Sequence, residues 1–368
     1  QLVRLSDGRT LWSDTLDEQA TQLFTLQDNL SARLAAALAL PLNARDRERL
    51  TKHGTANIEA YQLYLKGRLF WNRRTPEWIA KGIESFEQAL KLDPQYALAW
   101  AGLADCYVLT SSGLPALDRM PKASAAVERA LQLDEQLAEA HAARGLIKFK
   151  FDFDMAAAEA AFQRAIELNP NYATAFHWYG ESLSRLDRFD EALRLLRQAE
   201  RLDPLALAIK EDIGTVYYRM RRYADAEKQY RDVLAIDPNF ARTVGMLVCV
   251  DAAQDRYDEA VTLHLRKQEL AAAPPAELSA LKQAYQQGGW AGYWRKYRAV
   301  NGEKKGNAYE NARLALRVGE RERAYEWLEK SFADHSGIQI DIKNDPEMDP
   351  LRAEPRFQEL LRRCGFAS

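Results

Sequence analysis

Five helical stretches of this chain close on nearly the same phrase: Leu90-Lys91-Leu92-Asp93-Pro94, Leu131-Gln132-Leu133-Asp134-Glu135, Ile166-Glu167-Leu168-Asn169-Pro170, Glu200-Arg201-Leu202-Asp203-Pro204 and Leu234-Ala235-Ile236-Asp237-Pro238. The last four recur at a near-constant spacing, marked by Asp134, Asn169, Asp203 and Asp237, and the gap from Asp93 to Asp134 is wider. A period this short restricts the fold severely. One helix–turn–helix unit cannot bury its apolar stripe alone, so successive units must stack into a solenoid.

The positions between the phrases carry a packing code. Ten residues after a closing phrase stands a small residue: Ala104, Gly145, Gly180 and Gly214. A second small residue follows at Ala158, Ala192 and Ala226, a large one four on at Phe162, Leu196 and Tyr230, and a short one at Ala165, Ala199 and Val233. Small residues let one helix nest on another, and the large residue is expected to fill the gap between repeats. Asp or Asn ends the helix, and Pro prevents its continuation. This pattern resembles the tetratricopeptide repeat. The resemblance implies a mostly α fold: a right-handed superhelical solenoid whose concave surface is lined by the first helix of each pair.

Composition supports that class and narrows the partners. The chain has 368 residues, 51 basic and 53 acidic, with a formal charge of −2. That balance gives no electrostatic footprint for nucleic acid or for an anionic membrane, so direct DNA binding by this chain is not expected. Cys106, Cys249 and Cys364 show no metal or redox spacing and read as buried small apolar residues. No run of about 18 apolar residues suggests a membrane span.

Along the chain, residues 1–45 read as a β-hairpin, turning at Ser6-Asp7-Gly8-Arg9, and a helix bearing Leu23, Leu26, Leu30, Leu34 and Leu38 on one face. The hairpin's open edge is expected to pair with that helix or with another chain, which leaves a homodimer open. A charged linker covers 46–57, the repeats 58–272, and divergent helical pairs 273–335, broken at Pro274-Pro275 and Gly288-Gly289. The extra residues of the second repeat are expected in the loop 111–115. Residues 336–368 read as a short helix or turn and a capping helix.

No H-E-x-x-H, G-x-S-x-G, G-x-x-x-x-G-K-[ST] or G-x-G-x-x-G motif occurs. His53, His141, His177, His264 and His335 lack metal-ligand spacing, and Asp152 and Asp154 are explained by helix capping. The expectation is therefore no catalytic residue, metal or cofactor, and a protein or peptide partner held in the concave groove. Register places Tyr61, Tyr64, Arg68, Trp71 and Asp105 there from the first two pairs, and His177, Glu181, Arg185, Glu211, Thr215, Tyr218 and Arg219 from the fourth and fifth. Tyr, Trp and Arg are the types enriched in binding hot spots, and aromatic packing between helices is the competing role for each. The Lys and Asn of a carboxylate clamp are missing from the inner positions.

The whole chain also resembles a bacterial arrangement. Ser6-Asp7-Gly8-Arg9 with Trp12-Ser13-Asp14-Thr15 and Leu26-Gln27-Asp28 resembles the end of a TolB-amino-terminal-like α/β module. Ala60 to Arg68 with Trp71-Asn72-Arg73-Arg74-Thr75 resembles the repeat that follows it, and Gly288-Gly289-Trp290 and Asp349-Pro350-Leu351-Arg352 with Pro355-Arg356-Phe357 fit the same family. The resemblance implies the non-catalytic sensory half of a one-component transcriptional regulator, with DNA bound by a winged-helix domain upstream. The alternatives are the regulatory tail of a serine/threonine kinase or class III adenylyl cyclase, and an enzyme using the groove as a cleft. The setting implied is bacterial and cytoplasmic, or periplasmic if a membrane helix precedes the chain. The start at Gln1 and the shortened α/β module suit a piece of a longer protein.

Overall fold

In the computed structural model, residues 2–4, 6–13, 15, 23–38, 53–109, 116–303, 307–335 and 341–366 are described. The loop 111–115, most of the linker and residues 336–340 of the tail lie outside them.

Strands β1 (Leu2–Val3) and β2 (Thr10–Trp12) pair antiparallel, and Gly8 takes a φ of 67° in the turn. Helix α1 (Leu23–Ala37) follows and carries the leucine face expected of residues 18 to 40, of which 18–22 and 39–40 lie outside the described residues. It lies against the first repeat, where Gln27 Nε2 donates to Tyr61 Oη at 3.0 Å and Phe24 packs on Tyr61 at 5.1 Å.

Six helix pairs then stack in sequence. They are α2 (Ile58–Asn72) with α3 (Pro76–Leu92), α4 (Ala97–Leu109) with α5 (Ala116–Leu133), and α6 (Ala138–Ile147) with α7 (Met155–Leu168). The later ones are α8 (Ala173–Arg185) with α9 (Phe189–Leu202), α10 (Leu207–Arg219) with α11 (Tyr223–Ile236), and α12 (Ala241–Ala252) with α13 (Tyr257–Leu270). Helix α14 (Pro275–Asn301) breaks at Gly289, whose φ of 58° and ψ of −154° split it into two arms. The pair α15 (Ala308–Arg317) and α16 (Arg321–Ala333), a 3-10 turn (Pro346–Leu351) and α17 (Pro355–Arg363) complete the chain. Among the described residues, no helix is long and apolar enough to cross a membrane.

The closing phrase works as a turn device. Asp93, Asp134, Asn169 and Asp237 each accept the backbone N–H two residues on, at 2.9 to 3.1 Å, which turns the chain between pairs. Within pairs the turn is left-handed: Phe153, Asp187, Arg221 and Asp255, evenly spaced with one in each successive pair, have φ of 55°, 62°, 60° and 58°. None is glycine, so this second periodic device is invisible in the sequence. A π-helical turn (Lys148–Asp152) precedes Phe153, and Asp154 caps α7 by accepting from Ala157 N at 3.0 Å.

The packing code resolves differently from the sequence expectation in one respect. The large residue fills the crossing within its own pair. A Cβ on Gly145 would lie 2.7 Å from Phe162, one on Gly180 2.9 Å from Leu196, and one on Gly214 2.5 Å from Tyr230. Phe86 serves two pairs, since it would lie 2.7 Å from a Cβ on Gly67 and 2.6 Å from one on Gly102.

Gly214→Ala should therefore destabilise the protein. Overpacking costs about 1 to 3 kcal/mol, set against about 1 kcal/mol gained in helix propensity. Urea unfolding should show a net loss, and an unchanged midpoint would contradict the closeness of this crossing.

Candidate functional site

The inner helices curl so tightly that their side chains meet across the lumen. Trp71 at the end of α2 packs edge-on against Trp178 of α8, with centroids 6.2 Å apart, although the two helices belong to the first and fourth pairs. Two guanidinium groups hold the Trp71 ring, Arg68 at 4.1 Å and Arg74 at 3.6 Å from its centroid. Arg68 also donates to Asp105 Oδ2 at 2.8 Å. Burial pushes the Asp105 carboxyl up to about 7 against the pull of Arg68, and its Oδ1 has no hydrogen-bond partner.

Further along, the chain's own C-terminal segment enters the groove. Asp341 Oδ1 accepts from Arg185 Nε at 2.9 Å and from Arg219 Nη2 at 3.1 Å. Asn344 Nδ2 donates to the Ser184 carbonyl at 2.7 Å and to Asp187 Oδ1 at 3.0 Å, while Lys343 pairs with Asp187 at 3.0 Å. Arg221 reaches the Asn344 carbonyl at 3.0 Å. Glu347 is clamped by Arg313 and by Arg317, the latter at 2.8 Å, and these arginines hold its carboxyl far below the usual range against the cost of burial. Tyr309 donates to Asp345 Oδ2 at 3.0 Å.

All twelve groove residues chosen by register lie on inner helices, and the lumen's own contacts engage most of them. Trp71, Asp105, His177, Glu211, Tyr218 and Arg219 are buried, and Tyr61, Tyr64, Arg68, Glu181, Arg185 and Thr215 are half-buried. Tyr61 is taken up by α1, Tyr64 packs on Phe86 and Tyr96 at 5.9 and 5.3 Å, and Arg185 and Arg219 hold Asp341. The register extended no further than the fifth pair. It missed Arg242 on α12, which donates to Asp212 Oδ1 at 2.5 Å with its side chain 49% exposed, and Lys150, 3.5 Å from Glu181. Arg242 stands one repeat length after Ala208, a position the register did not select, so a further step from the chosen residues reaches Gly245 and Cys249 and passes it by. No periodicity points to Asp341, Asp345 or Glu347.

His177, Glu181 and Asp212 offer ligand atoms within 4.8 Å of one another, the geometry of a cation site. The chain meets that need itself. His177 Nε2 and Asp212 Oδ2 share a hydrogen bond at 2.6 Å, Arg242 takes the other Asp212 oxygen, and Arg185 and Lys150 flank Glu181. Burial opposes ionisation of Glu181, yet Lys150 and Arg185 hold its carboxyl well below the ordinary value.

Between the inner helices and the tail lies a cavity of about 370 Å3, lined by Glu181, Arg185, Glu211, Tyr218, Arg242 and Asp341 among others. Glu211 is fully buried, and neither carboxyl oxygen has a hydrogen bond. Burial pushes it up to about 8, against the pull of Arg242.

Family models described as tetratricopeptide repeat match residues 138–172, 161–194 and 180–241. Residues 138–241 are tetratricopeptide repeats. The pairs α6 to α11 described above supply their helices, and the Gly–large crossings are the repeats' own packing. The transcriptional regulator HilA of Salmonella paratyphi A is 26% identical over 154 residues, 41% of this chain and 28% of HilA. The type IV pilus assembly protein PilF of Pseudomonas aeruginosa is 25% identical over 137 residues, 37% of this chain and 54% of PilF. A solved structure of PilF aligns with a TM-score of 0.39 at 18% identity, covering 74% of this chain and 98% of that one. The putative adenylate cyclase 3 of Rhizobium meliloti is 26% identical over 104 residues, 28% of this chain and 18% of the cyclase. The chain thus matches only about a fifth to a half of the length of these curated relatives.

Two outcomes follow from the repeat lumen. Arg68→Met leaves Asp105 buried without its cation and should cost about 3 kcal/mol, whereas Arg68→Met with Asp105→Leu should return to within about 1 kcal/mol of the parent. A double-mutant cycle by urea unfolding measures both.

The second concerns pH. Glu211 ionises near its ordinary 4.5 when unfolded and about 8 when folded, so the folded state binds more protons between those values. Stability contributed by this site falls as pH rises through that window. Glu211→Gln should therefore melt close to the parent at pH 5 and above it at pH 8.5. An equal offset at both would sink the assignment.

Proposed function

We propose that the chain is a non-catalytic interaction scaffold, the regulatory region of a bacterial one-component transcriptional regulator, with a protein or peptide partner read at the concave face. The match to HilA, a transcriptional regulator by name, supports this role. It spans a minority of that protein, and on this reading DNA binding belongs to a domain outside this chain. The lumen supports a partner of mixed charge. Its most exposed cation is Arg242, with a 49% exposed side chain set beside the buried carboxylates Glu211 and Asp212. Partner contact on this reading falls at the mouth of the groove, through Arg242, Tyr64, Arg68 and Thr215. The deeper Trp71, Tyr218 and Arg219 hold the lumen in shape.

The match to an adenylate cyclase favours a second reading, a regulatory tail on a nucleotide cyclase. The two readings differ in the domain encoded upstream. A winged helix there supports the first, and a cyclase or kinase domain replaces it with the second.

The interaction surface is tested in the full-length protein with a promoter reporter. Arg242→Ala should change reporter output by about tenfold at unchanged protein level, the scale of a hot-spot truncation of about 1 to 2 kcal/mol. Arg164→Ala, on the outer helix α7 with its side chain 49% exposed, should change nothing. Equal effects of the two, or none from Arg242→Ala, would remove the concave face from the mechanism.

A further inference from the structure

Arginine after arginine in the lumen is answered by a carboxylate of this chain. Arg68 pairs with Asp105, Arg185 and Arg219 with Asp341, Arg242 with Asp212, and Arg313 and Arg317 with Glu347. Arg74 differs. Among the described residues its guanidinium makes no hydrogen bond and no ion pair, and it lies over the Trp71 ring at 3.6 Å.

Arg74 is the first pair's member of the left-handed turn series, with a φ of 56° just before α3. Its charged counterparts are all held. Asp187 pairs with Lys343 at 3.0 Å, Arg221 with Asp349, and the Asp255 carboxylate accepts from Tyr257 Oη at 2.6 Å. Burial lowers the Arg74 pKa to about 10, and repulsion from Arg68 and Arg242 outweighs attraction to Asp105 and Glu181. The group is nonetheless a cation at neutral pH, and a buried cation without an anion is costly. Its side chain is half-buried and its unpartnered nitrogens are not sealed from solvent, so an incoming group can reach them.

Arg74 lines a cavity of about 250 Å3 together with Lys150 and Arg242, against the carboxylates Glu181 and Asp212. Both carboxylates are engaged already. Glu181 lies 2.9 Å from Arg185 and 3.5 Å from Lys150, and Asp212 divides its oxygens between His177 at 2.6 Å and Arg242 at 2.5 Å. Three cations against two carboxylates leave one positive charge in surplus, and Arg74 carries it. Ile79, Leu109, Trp178 and Ala208 supply apolar lining. A cavity so lined suits a single negative charge borne on a small apolar body.

We propose that this cavity binds a carboxylate carried on a short apolar group, held by the Arg74 guanidinium beside Trp71. The cavity lies on the concave face and includes Arg242, so the proposal rests on the reading above and names the chemistry recognised there. The tail gives the precedent: Asp341 and Asp349 present carboxylates to Arg185, Arg219 and Arg221 elsewhere in the same groove. A guanidinium over a ring keeps its N–H edge free to donate two parallel hydrogen bonds to a carboxylate. A free acid and an acidic group of a partner chain offer the same chemistry.

The probes are 3-phenylpropanoate and its neutral amide, 3-phenylpropanamide, titrated by calorimetry against the intact chain at low salt. The acid should bind about tenfold more tightly than the amide, or better, the scale of one charge-assisted pair. Arg74→Gln should bring the two to parity, whereas Arg74→Lys, which keeps the charge, should retain most of the preference, each with unchanged circular dichroism. Equal binding of acid and amide by the parent, a comparison that needs no variant, overturns the site. So does the lack of saturable binding of the acid at about 10 mM, or a preference that survives Arg74→Gln. A tripeptide ending in phenylalanine with a free carboxylate reads the source: a gain of about tenfold over 3-phenylpropanoate assigns the carboxylate to a partner chain, and no gain assigns it to a free acid. Calorimetry needs no partner, so loss of this site leaves the reporter test of Arg242→Ala standing. A reporter indifferent to Arg242→Ala with acid binding intact removes the partner reading alone.

Discussion

A side chain reduced to hydrogen sets the geometry on which this protein rests. At Gly145, Gly180 and Gly214 the inner helix lies so close to its partner that any Cβ would fall within 3 Å of Phe162, Leu196 or Tyr230. Each crossing therefore has one depth and one angle. Repeated along the stack with the same left-handed turn at Phe153, Asp187, Arg221 and Asp255, it gives successive pairs the same internal geometry, so they stack as like units. The inner helices of that stack come close enough for Trp71 to meet Trp178.

That curvature brings the tail onto the inner helices. Asp341 bridges Arg185 and Arg219, and Glu347 holds Arg313 and Arg317. Beneath them, Ile342, Met348, Leu351 and Phe357 are fully buried with Tyr309 and Tyr325 of the last pair. Buried ion pairs of this kind contribute little net stability, since desolvation offsets most of the attraction. The observed seating of the tail gives Arg185, Arg219, Arg313 and Arg317 each a carboxylate partner. An open solenoid becomes one that is braced across its concave side.

Bracing also changes what the groove can offer. Aromatic and arginine side chains at inner positions are the usual material of hot spots, yet here Trp71 sits between Arg68 and Arg74, and Arg219 is engaged with Asp341 and Ser184. Glu211 and Tyr218, whose side chains make no hydrogen bond, are deep, while Arg242, with its side chain half exposed, is paired with Glu211 and Asp212.

The sequence alone determined the mostly α class, the repeat and its period, and the residues that face inward. These depend on local chemistry: Asp and Asn close helices by accepting the N–H two residues on, and Gly marks a close approach whatever surrounds it. The break at Gly288-Gly289 was legible for the same reason. The tertiary structure decided the rest. Phe153, Arg221 and their counterparts adopt left-handed turns that no glycine advertises, because packing on both sides compensates the strain. The same stack placed Asp341 against Arg185, far away in the chain. Contacts of that range depend on the accumulated rotation of several repeats, which no single repeat's sequence encodes. Register could therefore say which side chains point into the lumen, while only the closed superhelix fixed which of them are spent on one another.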